Sequence, residues 1–365
     1  MADLKVGATP ATAATRSGRG AGLQAGICGA GLQAGICVAV IGALLVAPAS
    51  GEQASDPLES VLAQARAQID GGQPAAAIQQ LSAAQSSDPR VQRMLGVAYY
   101  HHDEYPRAIE LLAPLVRHFP ADSVDARETV QVLGLSYYLA GRIPEAIPLL
   151  EETRAWAADN IELAQVLGMA YIQTRQPEKA VAPLAGAFGV APDTAAAHLL
   201  AAQMMVRLEH YEMADEQLRK ALTLDPRLPQ ANLLLGQNAV FRNRLEEGIE
   251  YFRRELATNP GNAMALYRVG EAYSRQPDWD KAIPALQQSL WINPYFSGPY
   301  IVLGRAYIAK GQPATAEGML RRAVEYDPNN KSARYLYGQV LQRLGRADEA
   351  KEQFDAAARL QDTGR

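Results

Sequence analysis

Cysteine is nearly absent from this sequence of 365 residues, and its two copies, Cys28 and Cys37, both fall near the start. Everything after residue 37 therefore lacks a disulfide framework, a zinc–cysteine site and a cysteine nucleophile. Positive charge is also in short supply. The chain carries 35 Lys and Arg against 39 Asp and Glu, a formal net charge of −4. Setting aside residues 1–49, which hold Lys5, Arg16, Arg19 and Asp3, leaves 32 basic and 38 acidic residues. Nothing in this balance suggests a basic footprint, so no nucleic-acid partner is expected. Catalytic signatures are missing too: no phosphate-binding glycine loop, no Gly-x-Ser-x-Gly elbow and no His-Glu-x-x-His helix occurs.

What is present is a chain 48% hydrophobic and 20% charged, a composition that folds rather than one that stays disordered. Residues 21–51 hold no charge, and within them segment 21–29 is nearly duplicated at 30–38. An apolar run follows, and then Ala47-Pro48-Ala49. A basic flank, an apolar core and a small-x-small exit are the parts of a secretory signal peptide. The rival is a retained anchor. The 21 uncharged residues 27–47 are long enough to cross a bilayer of about 30 Å. Residues 1–49 are thus read as signal peptide or membrane anchor, and 50–57 as a polar linker. The expected location is exported: periplasmic, or membrane-tethered and facing the periplasm.

The rest of the chain is a repeat. A Gly or Ala preceded by an apolar residue recurs at Gly134, Gly168, Ala202, Gly236, Gly270, Gly304 and Gly338, each 34 residues after the last, with one further copy at Gly96. Twelve residues later comes a small residue, such as Ala108, Ala146 or Ala282, and four after that a large apolar one, such as Leu112, Leu150 or Leu286. Proline closes most units, as at Pro226, Pro260 and Pro294, because it pushes the residue before it out of the α region. A degenerate earlier copy carries Ala77, Leu81 and Pro89. Apolar residues at i, i+3, i+4 and i+7, such as Leu266, Val269, Gly270 and Tyr273, mark one stripe of a helix. Two helices per unit give nine helix pairs over residues 58–360, with a polar tail at 361–365. Pro114, Pro148, Pro183 and Pro284 lie deeper in second helices and are expected to bend them.

In this phase, over five-sixths of its length, the sequence resembles the tetratricopeptide repeat family. The resemblance implies an all-α fold: a right-handed superhelical solenoid of antiparallel helix pairs, with first helices lining the concave side. Each hairpin would bury its stripe only against its neighbours. It also implies where a partner sits. The inner positions are three before, one after and four after the Gly or Ala, and they supply Tyr100, Leu135, Tyr138, Met169, Ile172, Gln203, Tyr267 and Tyr335 as candidate groove residues. Family members that clamp acidic chaperone tails carry Lys and Asn at the first two of these positions, and neither appears there in any repeat.

The expected function is therefore a non-catalytic scaffold that holds a protein or peptide partner in its groove, in envelope assembly, secretion or polysaccharide export. No cofactor and no metal are expected. His101-His102-Asp103-Glu104 falls where a polar turn belongs. The alternative is a structural protein that self-associates through the solenoid ends, although the last helix, 346–360, is polar enough to act as a cap.

Overall fold

The computed structural model describes residues 57–362. The signal or anchor reading of 1–49 and nearly all of the linker lie outside the described residues. Nine consecutive helical hairpins fill the described chain. Pro57–Asp70 and Pro74–Ala83 (α1, α2) form the degenerate first hairpin. Then come Pro89–His101 with Tyr105–Leu112 (α3, α4), Val124–Leu139 with Ile143–Trp156 (α5, α6), and Ile161–Gln173 with Pro177–Ala187 (α7, α8). Ala195–Arg207 pairs with Tyr211–Leu224 (α9, α10), Ala231–Phe241 with Leu245–Thr258 (α11, α12), and Ala263–Arg275 with Trp279–Ile292 (α13, α14). Ser297–Ala309 with Pro313–Tyr326 (α15, α16) and Lys331–Arg343 with Ala347–Asp362 (α17, α18) complete the array. Among the described residues there is no strand.

Local chemistry sets the boundaries. Six first helices open on a capping side chain: Asp88, Ser123, Asn160, Thr194, Asn262 and Asn330 each accept a hydrogen bond from a backbone N–H two or three residues on. Five second helices have proline in the first turn, where its missing N–H costs nothing. Between the two helices the chain reverses on a residue with positive φ. Gly141 and Gly311 do this without strain, whereas Asp103, Arg175, Glu209 and Asn243 take the same turn position with a side chain. Proline deeper in a helix acts in two ways. Pro114 ends α4 as an α-helix, and the chain continues as a 3₁₀ turn over Ala113–Leu115, whereas α6, α8 and α14 run through Pro148, Pro183 and Pro284.

The core is one contact repeated. The large residue sixteen after each small position (Leu112, Leu150, Leu184, Leu218, Phe252, Leu286, Leu320) is fully buried. It sits directly on the small residue of its partner helix. A methyl placed on Gly96, Gly168, Gly270 or Gly304 would lie 2.5–2.6 Å from the Cγ of Leu112, Leu184, Leu286 or Leu320. Successive first helices also touch, at α1/α3, α3/α5, α11/α13, α13/α15 and α15/α17, while no two second helices pack to that extent. First helices therefore occupy the inner side of the curve.

The close approach predicts opposite outcomes for one substitution at two glycines. Gly318, inside α16, has open space where a methyl would go. Gly318→Ala should stabilise by about 0.5–1 kcal/mol through backbone entropy and helix propensity. Gly270→Ala should destabilise, by about 1–3 kcal/mol of overpacking less the propensity gain. Chemical denaturation reads both, and a stabilised Gly270→Ala would show that close packing is not the constraint.

Candidate functional site

The inner face is built from the first helices, one register position at a time. Leu135 and Tyr138 on α5 and Met169 on α7 are half-buried and pack on the same central core, so the structure brings these three together. Gln173 Nε2 lies 3.5 Å from the Tyr138 hydroxyl, tying α7 to α5, and burial pushes the Tyr138 phenol pKa up. Tyr100 packs on the separate N-terminal core, edge-on to His101 at 5.1 Å. Gln203 on α9 is half-buried. Farther along, Tyr267 stands edge-on to Phe296 at 4.9 Å, with the Arg268 guanidinium 5.3 Å from its ring centre. Tyr335, 51% exposed, leans on Phe354 at 5.6 Å.

Ile172 does not belong to this set. It is 0% exposed and lies in the core that joins α7 to Ala201, Ala202 and Met205 of α9. The register position four after the small residue is a seam between hairpins. At this position Ile172, Val240 and Ser274 are enclosed, whereas Tyr100, Tyr138, Val206 and Ile308 are half-buried and Gln342 is exposed.

At the N-terminal end, charge fills the inner face. Glu128 of α5 receives both Arg66 of α1, at 2.5 and 2.6 Å, and Arg93 of α3, and Arg93 also lies 2.6 Å from Asp125. Burial alone would raise the Glu128 carboxyl, but the hydrogen bonds and charges of the two arginines outweigh it and hold the carboxyl below the usual range. Burial lowers the pKa of nearby His101. This cluster joins three hairpins by ion pairs rather than by leucine. Arg93 stands three residues before Gly96, one of the inner register positions, but its partners do not follow from that register. The one legible signal is opposite charge on successive first helices: Arg66 on α1, Arg93 on α3, and Asp125 and Glu128 on α5.

Two further features bear on function. His102 Nδ1 lies 3.0 Å from Glu104 across the first full turn, and among the described residues no three His, Cys, Asp or Glu side chains gather as a metal site would require. On a different surface, Trp291 (91% exposed) and Ile292 wall a shallow apolar depression with Leu256, Pro260 and Leu266, and Tyr295 stands nearby in sequence at 74% exposure. No helix of the described residues is long and apolar enough to cross a membrane.

Fold and inner face together define a helical-repeat solenoid of the protein-interaction class. Models of the tetratricopeptide repeat match residues 137–204 and 307–363, 62–123 and 233–295, and 195–228. The chain belongs to the tetratricopeptide repeat family. Its sequence is 27% identical to protein bimA of Emericella nidulans over 92 residues, which is 25% of this chain and 11% of that protein, so it spans a small part of that relative. Among solved structures it is similar to MamA of Desulfovibrio magneticus RS-1, at 22% identity and a TM-score of 0.43 over 47% of this chain and 97% of that one. It is also similar to a chain of the APC/C hetero-tetramer Cut9–Hcn1, at 18% identity and a TM-score of 0.41 over 78% of this chain and 57% of that one.

Proposed function

We propose that this protein is a non-catalytic scaffold that binds an extended or helical segment of a protein partner along the inner faces of its first helices. The observation that carries this reading is the trio Leu135, Tyr138 and Met169, apolar or aromatic side chains that remain half-exposed on adjacent inner helices. Exposed apolar surface of this kind is disfavoured unless something covers it. Aromatic anchors set among amides such as Gln173 and Gln203 are the usual makings of an interface hot spot. We further propose export, or tethering at a membrane, with a role in envelope assembly, secretion or polysaccharide export. The charge-free segment 21–51 with its Ala47-Pro48-Ala49 exit supports that part.

Two measurements test these proposals. Pull-down from the native host identifies the partner, and titration then compares two variants. Tyr138→Ala should weaken partner binding by about 2 kcal/mol or more while leaving the fold largely intact. Leu150→Ala, in the core, should cost about 2–5 kcal/mol of stability through its cavity and leave the affinity of the folded fraction unchanged. Equal unfolding by both, with normal capture by folded Tyr138→Ala, would make the aromatic lining core and remove the groove reading. For the location, N-terminal sequencing of the protein from host envelope fractions should find a start at Ser50 after cleavage or a start upstream of Val38 for an anchor. Recovery of the whole protein from the cytoplasm with residues 1–49 intact would contradict export.

A further inference from the structure

Charge is not spread evenly around the solenoid. The first helices α1, α3, α5 and α7 hold five acids and four arginines, and the inward-facing ones neutralise each other through Glu128. From α9 onward the balance changes. Helices α9, α11, α13, α15 and α17 hold six arginines and Lys331 against a single acid, Glu271. Their partners α10, α12, α14, α16 and α18 show the opposite bias, with fifteen acids against nine bases. The second half of the array is therefore basic on its inner helices and acidic on its outer ones, within a chain whose net charge is −4.

The arginines also keep register. Arg207, Arg275 and Arg343 each lie five residues after the small position, in alternate hairpins. Gln173 occupies the same position in α7, where it reaches back to Tyr138. In the same way Arg275 points a guanidinium nitrogen at the carbonyl of Val240, 3.5 Å away. The row therefore runs along the surface that carries the Tyr138 patch. Arg305 follows Gly304 directly. Glu271 is shared between Arg268 at 2.7 Å and Arg275 at 3.9 Å, so it cannot neutralise both. Arg207, Arg305 and Arg343 are exposed and have no ion-pair partner among the described residues.

We propose that the inner face from α9 to α17 binds an acidic stretch of the partner polypeptide, in line with an apolar stretch seated over Leu135, Tyr138 and Met169. This rests on the groove reading above and adds a chemical direction to it: apolar toward α5, acidic toward α17. Arginine suits the task because its planar fork takes a carboxylate in two hydrogen bonds. The arginines are spread over five hairpins, so a single terminal carboxylate could not engage them, and side-chain carboxylates along a segment are required. Neighbouring helices pack roughly 8–10 Å apart, which puts Arg207 and Arg275 roughly 16–20 Å apart. An extended chain spans that distance in about five or six residues, and this sets the spacing of the acids. A nucleic acid is the poorer fit. A long polyanion would meet the acidic outer helices and the negative net charge, and it needs a continuous cationic track.

The test is selection from an unbiased library of displayed peptides about 16 residues long on the full-length protein. The triple variants Arg207→Glu/Arg275→Glu/Arg343→Glu and Arg207→Gln/Arg275→Gln/Arg343→Gln are then titrated with the winners, after circular dichroism has checked their helix content. Winners should carry acids toward one end, bind about tenfold more weakly to the Gln variant and weaker still to the Glu variant, and lose affinity with rising salt. Amidating the peptide C-terminus should change nothing. Winners that depend on Tyr138 but are neutral, or that bind both triple variants normally, would overturn the acidic assignment and leave the groove reading standing. Winners indifferent to Tyr138→Ala and to both triple variants would overturn both. Tighter binding of a single-stranded oligonucleotide than of any selected peptide would overturn the choice of a polypeptide partner.

Discussion

The contact between a large side chain of each second helix and the bare backbone of a glycine or alanine on the first helix is what the rest of the structure depends on. A buried leucine or phenylalanine contributes roughly 1.5–3 kcal/mol. A glycine within a helix costs about 1 kcal/mol relative to alanine. The exchange is favourable only because the leucine reaches its seat, and it does: Leu112, Leu184, Leu286 and Leu320 all rest on glycines, and Phe252 rests on Gly236. Ala202 stands at the corresponding position for Leu218, and both are fully buried in one core. Each seat fixes the distance between the two helices of a hairpin. Stacking the hairpins then brings first helix against first helix and turns the array so that those helices face inward.

That geometry produces the candidate interface as a by-product of packing. Side chains at the seam between hairpins are enclosed in some hairpins and emerge in others: Ile172 and Val240 are buried, Ile308 and Val206 only half so. The surface available to a partner is therefore set by how closely neighbouring hairpins enclose a few register positions, not by any loop or insertion. Tyr138 protrudes and Ile172, at the same position one hairpin on, does not. Where the inner positions carry charge, the outcome depends on whether neighbours complete it. Arg66 and Arg93 find Glu128 and become part of the scaffold, whereas Arg207, Arg305 and Arg343 find no counter-charge and remain available.

The sequence disclosed the hairpins well because their determinants are local and periodic. The spacing of Gly270, Ala282 and Leu286 recurs in phase, and proline closes most units. It disclosed less where the outcome depends on three-dimensional neighbours. The register position of Ile172 matches that of Tyr138 and points to the groove, yet enclosure by α9 decides its fate. The turns at Arg175 and Glu209 have positive φ without the glycine that announces such a turn. The ion cluster at Glu128 and the arginines without an ion-pair partner, Arg207, Arg305 and Arg343, needed helix-to-helix pairing before bound and free charges could be told apart. Residues 1–56 contribute only through their composition.

Hydroxyl-radical footprinting of the free and partner-saturated protein tests the central claim most directly, because it reports side-chain accessibility rather than overall stability. The inner-face account predicts loss of labelling at Tyr138, Met169 and Tyr267 on binding, with Trp291 and Tyr295 labelled as before. Protection of Trp291 and Tyr295 with unchanged labelling at Tyr138 and Met169 would contradict it, and would assign recognition to the apolar depression beside α14 instead.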